Sequence, residues 1–354
     1  MKILAIYYQL MNKAYQDILD NLNKEELTLE PLHLNSRVLL IDSMNTFLRS
    51  FAVIPNVNTQ GNHVGGLIGF MKSLGYAIKL IQPTRVILVF DGQGNITNRR
   101  NIYADYKGTR KIKRITRWNS FSTLEEESSS ISEQMMRLID YLKVLPVNLS
   151  IIDKIEADDT IAYLAQKLKG DIIIYSADQD FLQLVNDRVT VYSPIKKKFY
   201  KQQDVFENYG LYPKNFITMK CLMGDKSDNI PGVKGLGEKK LFKLFPELSE
   251  NKKFTLKEAY QKSTNNIEEH GLYGNIHLFK NQLEINYELM NLENMELNEA
   301  DEKELDDLIK AETHNFNKTK FLQMYEKDLL GRGIPNVEFW LTEIFSYLQN
   351  YKAK

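Results

Sequence analysis

The stretch from 171 to 181, DIIIYSADQDF, constrains the fold more than any other part of the chain. Consecutive isoleucines followed by a tyrosine make up a β-branched and aromatic run, the composition of a parallel strand covered on both faces. The run stops at two carboxylates one residue apart, Asp178 and Asp180. Two more apolar runs stop the same way, residues 38–41 at Asp42 and residues 86–90 at Asp91. Open α/β sheets keep their ligand crevice at the carboxyl ends of strands. The three ends therefore predict four carboxylates in one place. Like charges a few ångströms apart raise one another's pKa, and divalent cations would relieve them.

Helical spacing over residues 43–51 and 67–81, the latter closed by Pro83, separates the first two strands. A loop rich in Asn and Gly fills 55–66. Strand, helix, strand is the unit that demands a parallel sheet. Ahead of it, Tyr15, Ile18, Leu19, Leu22 and Leu27 recur at roughly helical spacing until Pro31, which predicts an amphipathic helix packed on the core. A strand over 147–152 leads into Glu156, Asp158 and Asp159 at the start of a helix. Acids in a first turn complement the helix dipole, but three of them just before the DIIIYSADQD strand favour a site. A hairpin is predicted across 193–197, with lysines that are only solvated, then helices at 204–209 and 215–223. Next comes GDKSDNIPGVKGLGEKK, residues 224–240. Its Gly232, Gly235 and Gly237 form a tight turn with Leu236 as an apolar plug, and Lys239 and Lys240 open the following helix. Such a turn lets backbone approach a phosphate, and Asp225 and Asp228 flank it. The expected fold class is α/β: a mostly parallel central sheet with helices on both faces.

Net charge gives no hint of an anionic partner, because 46 Lys and Arg balance 46 Asp and Glu. Distribution is more telling. Residues 95–117 carry Arg99, Arg100, Lys107, Arg110, Lys111, Lys113, Arg114 and Arg117 against Asp105 alone, interleaved with Tyr103 and Tyr106 and followed by Trp118. Bases with aromatics suit phosphates and unstacked nucleobases. A solvated helix face is the alternative, and the position just after Asp91 favours substrate. Residues 119–130, rich in Ser and Glu, read as mobile, and a helix over 131–145 stops before Pro146. Past 245 come amphipathic helices with loops at 247–253 and 263–275, and an acidic, solvated surface over 284–307. The tail, 316–351, with Phe339, Trp340, Phe345 and Tyr347, reads as a packed terminal helix, and a partner-docking helix is the sharper alternative. A lone cysteine, Cys221, excludes an intramolecular disulfide and suits a reducing compartment. The first eleven residues lack a small-x-small cleavage site, and no apolar run approaches the length of a membrane span. The expectation is a soluble, intracellular, cytoplasmic chain, in host cytoplasm if viral.

Asp42, Asp91, the EADD of 156–159, the SADQD of 176–180 and GDKSDNIPGVKGLGEKK together resemble the flap endonuclease and 5′-3′ exonuclease family. Five such pieces in order, across about residues 38–244, are far more specific than any one of them. IDKIEADDTIA and YSPIKKKFY look most like the RNase H branch of T-even bacteriophages, with an intact glycine turn where that branch has a degenerate one. The resemblance implies two Mg2+ ions, replaceable by Mn2+. Asp42, Asp91, Glu156, Asp158, Asp178 and Asp180 would surround the first; Asp180, Asp225 and Asp228, with Asp159, would serve the second. All-oxygen ligation independently favours these ions over Zn2+.

The resemblance also implies that 95–134 form a helical arch or clamp along a 5′ single strand. Lys107 and Arg110 would lie over the scissile phosphate, and Arg99, Arg100, Tyr106, Lys111, Lys113 and Arg114 would contact nucleic acid. Gly232, Lys234, Gly235, Gly237 and Lys239 would belong to a helix-three-turn-helix element that grips duplex through a K+ ion. The implied layout is an extension over 1–36, a nuclease core over 37–203, a helix-three-turn-helix subdomain over 204–315 and a helical tail over 316–354. Expected substrates are branched or 5′-ended DNA and RNA–DNA hybrids, cut by a monomer, with a single-strand-binding protein or clamp as partner of the tail and no membrane. A PIN-like ribonuclease also gathers acids at strand ends, yet leaves the glycine turn without purpose. An inactive DNA-binding scaffold would gain nothing from costly buried acids.

Overall fold

The computed structural model describes residues 33–108, 115–293 and 297–351. The helix expected before the first strand, and Arg110, Lys111, Lys113 and Arg114 of the basic segment, lie outside the described residues. One sheet runs in the order β3-β2-β1-β4-β5-β6. Its strands are β1 (Arg37–Asp42), β2 (Arg85–Asp91), β3 (Asn148–Ile152), β4 (Asp171–Tyr175), β5 (Val189–Ser193) and β6 (Lys198–Tyr200). All neighbours pair parallel except β5 and β6, which form the expected hairpin. After β3 the chain crosses to the other side of β1, so the order reverses between β1 and β4. Crevices for ligands form at such a switch point.

Alternation along the central strands feeds two apolar layers. Val38, Leu40, Ile172 and Ile174 face one, while Leu39, Ile41, Ile173 and Tyr175 face the other. α1 (Ser43–Val53) and α2 (Gly65–Ile81) join β1 to β2 and cover the second layer. α3 (Thr97–Ile102) and α4 (Leu124–Leu142) lie between β2 and β3, and α5 (Ala157–Lys167) crosses the first layer between β3 and β4. Beyond the hairpin, α6 (Gln202–Tyr209), α7 (Phe216–Met223), α8 (Glu238–Leu244), α9 (Leu256–Asn265), α10 (Gly271–Leu278), α11 (Lys280–Met290) and α12 (Glu299–Lys310) extend the α5 side. α13 (Lys318–Lys327) and α14 (Val337–Phe345) return to the α1–α2 layer. The tail is thus two packed helices rather than one: Phe321, Leu341 and Phe345 are fully buried, while Phe339 is 67% exposed. Among the described residues no helix is long and apolar enough to cross a membrane.

Two local expectations differ. α4 starts at Leu124, inside the stretch read as mobile, because Thr123 and Glu126 form a reciprocal capping box. Glu127 is then buried and accepts the backbone N–H of Thr116 and of Arg117, at 2.9 and 2.7 Å, so serine and glutamate here build structure. α10 occupies part of the loop expected at 263–275; its sequence is a weak helix former, and burial of Leu272, Tyr273 and Ile276 supplies the stability instead.

The amino edge of the sheet holds one buried cation. Arg85 donates to Asn148 Oδ1 and Asn35 Oδ1, both at 2.8 Å, and to the carbonyls of Leu308, Ile309 and Ala311 at 2.6, 2.8 and 3.0 Å. The carbonyls end α12, where the helix dipole favours positive charge. Burial pulls the guanidinium down to about 10.

Candidate active site

Each acid at the carboxyl edge is placed by an element end. Asp42 closes β1 and caps α1, accepting the Asn45 N–H at 3.2 Å and the Ser176 hydroxyl at 2.8 Å. Burial pushes its carboxyl up to about 7, against those two hydrogen bonds and with help from the charges of Asp91 and Asp178. Asp91, at the end of β2, reaches the first turn of α5 and accepts the Ala157 N–H at 3.0 Å. Asp158 is held well above the ordinary carboxyl range by burial and by Asp178, Asp42 and Glu156. Past β4, Ser176 accepts the Asp178 N–H at 3.0 Å, and Asp178 accepts the Asp180 N–H at 2.9 Å. Burial raises Asp180 to about 6, opposed by Lys220 and reinforced by Asp178.

The edge has two differently compensated halves. On one side Glu156, 2% exposed, faces the Arg99 guanidinium, the Lys107 ammonium at 2.7 Å and the Tyr106 hydroxyl at 3.0 Å. Arg99 also pairs with Asp159 at 2.8 Å and donates to the Leu289 carbonyl at 3.0 Å. On the other side Lys220, on α7, bridges Asp180 at 2.6 Å and Asp225. Burial works against the Asp225 charge, but hydrogen bonds from Lys220 and Ser227 bring its carboxyl down to about 2. The halves are latched together: the Lys107 N–H donates to the Asp228 carbonyl at 2.8 Å, Asn229 donates to the Asp105 carbonyl at 2.9 Å, and the Tyr106 hydroxyl stands 3.4 Å from Asp228. Among the described residues, no three acids, histidines or cysteines form a ready-made metal cage. The strand-end acids Asp42, Asp91, Asp158, Asp178 and Asp180 do lie close enough to act on one another's charge, while side-chain cations pair with Glu156 and Asp159 on one flank and with Asp180 and Asp225 on the other.

The glycine turn lies between α7 and α8. Gly235 has φ +81°, and a Cβ on Gly232 would fall 2.0 Å from the Met223 carbonyl oxygen, so both positions require glycine. Gly237 has open space around it, and Lys234, Gly235, Gly237 and Lys239 are all exposed. Leu236 is buried, as an apolar plug would be, and Lys240 donates to the Gly235 carbonyl at 3.1 Å.

Residues 37–210 match the 5′-3′ exonuclease N-terminal resolvase-like domain, and residues 211–313 match the 5′-3′ exonuclease C-terminal SAM fold. Over 225 residues the chain is 34% identical to a 5′-3′ exonuclease of Bacillus subtilis, spanning 60% of this chain and 71% of that protein. The chain belongs to the 5′-3′ exonuclease family. As a member it is a hydrolase of DNA phosphodiester bonds. It is also 33% identical over 204 residues to a 5′-3′ exonuclease of Aquifex aeolicus, spanning 56% of this chain and 65% of that one. A match to DNA polymerase I of Bacillus subtilis, 33% identical over 219 residues, spans 60% of this chain and 23% of the polymerase. Two solved structures share the fold. A bacteriophage T5 flap endonuclease, in a complex with DNA and metal ions, superposes with TM-score 0.61 at 17% identity, covering 78% of this chain and all (100%) of that one. Human GEN1 bound to Holliday junction DNA gives 0.52 at 12% identity, covering 92% of this chain and 76% of that one.

Within this exonuclease-family chain, two residues expected at the nucleic acid point inward. Arg99 is 9% exposed with its guanidinium taken up by acids and a carbonyl, and Tyr106 is 2% exposed, leaving no ring face for a base. Arg100 turns its Nε to the Tyr106 carbonyl at 3.2 Å. Ser176 and Lys220 were not singled out by the sequence. Ser176 carried a signal, as the first residue past the strand in SADQD; Lys220 carried none, since a lysine near a helix end reads as solvated.

Proposed function

We propose that the chain is a structure-specific, metal-dependent 5′ nuclease that cuts near junctions of single strand and duplex in branched or 5′-ended DNA and in RNA-primed DNA, during replication or repair. The observation that carries this reading is the gathering of strand-end acids at the sheet's switch point, latched by residues 105–107 to the acidic loop before the glycine turn. The donor set fits divalent cations: every candidate ligand is oxygen, and Asp42, Asp158 and Asp180 are each raised partly by neighbouring carboxylates. Two Mg2+ ions, or Mn2+, would be held by Asp42, Asp91, Glu156, Asp158, Asp178 and Asp180, and by Asp180, Asp225 and Asp228 with Asp159. When bound, such ions lower the pKa of a water nucleophile and offset charge on the phosphate.

The chain's own residues do the rest. Lys107, 2.7 Å from Glu156, places an ammonium at the edge where a scissile phosphate would gather charge. Lys220 keeps Asp180 and Asp225 paired, and Ser176 fixes Asp42 against Asp178. The exposed turn from Gly232 to Lys239 supports backbone contact with duplex, which reads shape rather than sequence. The Gly235 carbonyl accepts from the Lys240 ammonium at 3.1 Å, and a K+ ion held at this turn would take that ammonium's place. Contact of a single-strand-binding protein or clamp with the tail would have the exposed Phe339 as its anchor. The test compares Mg2+-dependent cleavage of a 5′ flap, a nicked duplex and an RNA-primed duplex. Cleavage at free 5′ ends and junctions is expected, and indifference to junction structure would defeat the proposal.

A further inference from the structure

The basic segment after β2 is held at both of its ends. At the leading end the Lys107 N–H is fixed to the Asp228 carbonyl at 2.8 Å. At the trailing end the holder is one carboxylate. Glu127 is 4% exposed, and its oxygens accept the Thr116 N–H at 2.9 Å, the Thr116 hydroxyl at 2.8 Å and the Arg117 N–H at 2.7 Å. Arg117 is itself buried, and Phe121 then stacks on Phe51 of α1, with ring centroids 5.8 Å and planes 8° apart. Between the two holds lie residues 108–115, with Arg110, Lys111, Lys113 and Arg114 in their sequence.

The capping and docking of α4 are done by other residues. Glu126 makes the cap: it accepts the Ser122 and Thr123 N–H groups at 2.8 and 3.3 Å, while the Thr123 hydroxyl accepts the Glu126 N–H at 3.1 Å. Farther along, Gln134 accepts the Leu67 N–H at 3.2 Å and donates to the His63 carbonyl at 2.9 Å, and Leu138, Tyr141 and Leu142 are fully buried, which seats the helix on the core. A buried carboxylate is costly unless donors meet it. Among the described residues, the hydrogen bonds to the Glu127 carboxylate all come from residues 116 and 117, so its burial serves the segment rather than the helix that carries it.

We propose that Glu127 is a positioning residue for the nuclease: it ties down the trailing end of the basic segment, so that less of the segment has to be ordered when substrate binds. This rests on the nuclease reading above. The two holds divide the labour. The leading one places Lys107 for the chemical step, and the trailing one sets how much order binding must supply, so its loss raises KM and spares the saturated rate.

The test compares Glu127→Leu and Glu127→Gln with wild type on a 5′ flap at saturating Mg2+ and fixed salt. In Glu127→Leu residues 116 and 117 become ordered only on binding, so KM should rise about tenfold while the single-turnover rate at saturating enzyme stays within about twofold. Glutamine keeps an acceptor oxygen for the same N–H groups, so Glu127→Gln should recover most of the loss. Limited trypsin digestion of the free protein, a readout independent of activity, should cut within residues 110–117 faster in the leucine variant than in the other two. Thr116 is exposed, and Thr116→Val, which removes one donor without changing shape, should raise KM about threefold; it keeps the test valid if Glu127→Leu fails to fold. An unchanged KM in the leucine and valine variants, a saturated rate that falls in step with KM, or no rescue by glutamine would each overturn the proposal. A wild-type chain that cuts no 5′-ended substrate would instead overturn the nuclease reading, and faster trypsin cutting in the leucine variant would then still show that Glu127 holds the segment.

Discussion

The two edges of the sheet treat buried charge in opposite ways. At the amino edge Arg85 is buried among neutral oxygens that accept from its guanidinium, with the charge of Glu312 close enough to favour it. At the carboxyl edge acids outnumber the cations among them: Asp42, Asp158, Asp178 and Asp180 crowd one another, while Arg99, Lys107 and Lys220 compensate only part of the charge. The first arrangement holds α12 to the sheet. The second opposes folding through repulsion and has a use only when something positive or reactive arrives. Substitutions should therefore separate stability at one edge from chemistry at the other.

The largest effect is expected for Asp178→Asn. Cleavage under single-turnover conditions should fall to background, while flap affinity at fixed salt stays the same or tightens, because phosphate contacts dominate binding. Thermal unfolding should shift upward, since a like charge has been removed. Wild-type cleavage by this variant would break the comparison at once. Lys107→Ala comes next. Loss of a well-placed electrostatic donor should slow the single-turnover step by about two to three powers of ten. A change in affinity alone, with the bound complex reacting normally, would make Lys107 a solvated lysine.

The amino edge should give the converse result. Arg85→Leu orphans buried acceptors and should lower the unfolding free energy by about 3 kcal/mol in a denaturant titration. Cleavage per folded molecule should be unchanged, and a slower rate without lost stability would erase the distinction between the edges. The smallest effect belongs to Ser176→Ala, which removes the hydroxyl that Asp42 accepts at 2.8 Å. A Mg2+ titration of the cleavage rate should show affinity weakened about tenfold, the usual cost of losing a group that orients a ligand. An unshifted titration would detach Asp42 from the ions.

Much of this was legible in the sequence. Strand-end acids announce themselves, because a run such as IIIY cannot be other than buried and the residue that breaks it must lie at an edge. The glycine turn was legible for a similar reason, since Gly232 and Gly235 have no alternative residue type. Basic residues carry no such label. Arg99 in a run of positive charge looks like a contact for phosphate, and only the packing of α3 against α11 turns it toward Glu156 and Asp159. Lys220 meets Asp180 across 40 residues of chain, a proximity set by how α7 lies on the core. Local chemistry also hid the first two turns of α4, whose start depends on a cap rather than on apolar spacing.

The latch between residues 105–107 and the loop at 225–229 has a thermodynamic consequence. Lys107 and Asn229 both adopt left-handed backbone, with φ of 53° and 60°, and each contributes a hydrogen bond across the junction. Two segments far apart in sequence thus share one set of allowed conformations. A phosphate that settles Lys107 settles the Asp228 loop by the same free energy with which an occupied loop settles Lys107, because coupling between bound states is reciprocal. If Lys107 meets the substrate phosphate and the 225–229 loop helps hold a cation, as proposed, the two ligands would be each other's effectors, and the apparent affinity for either should rise with the concentration of the other.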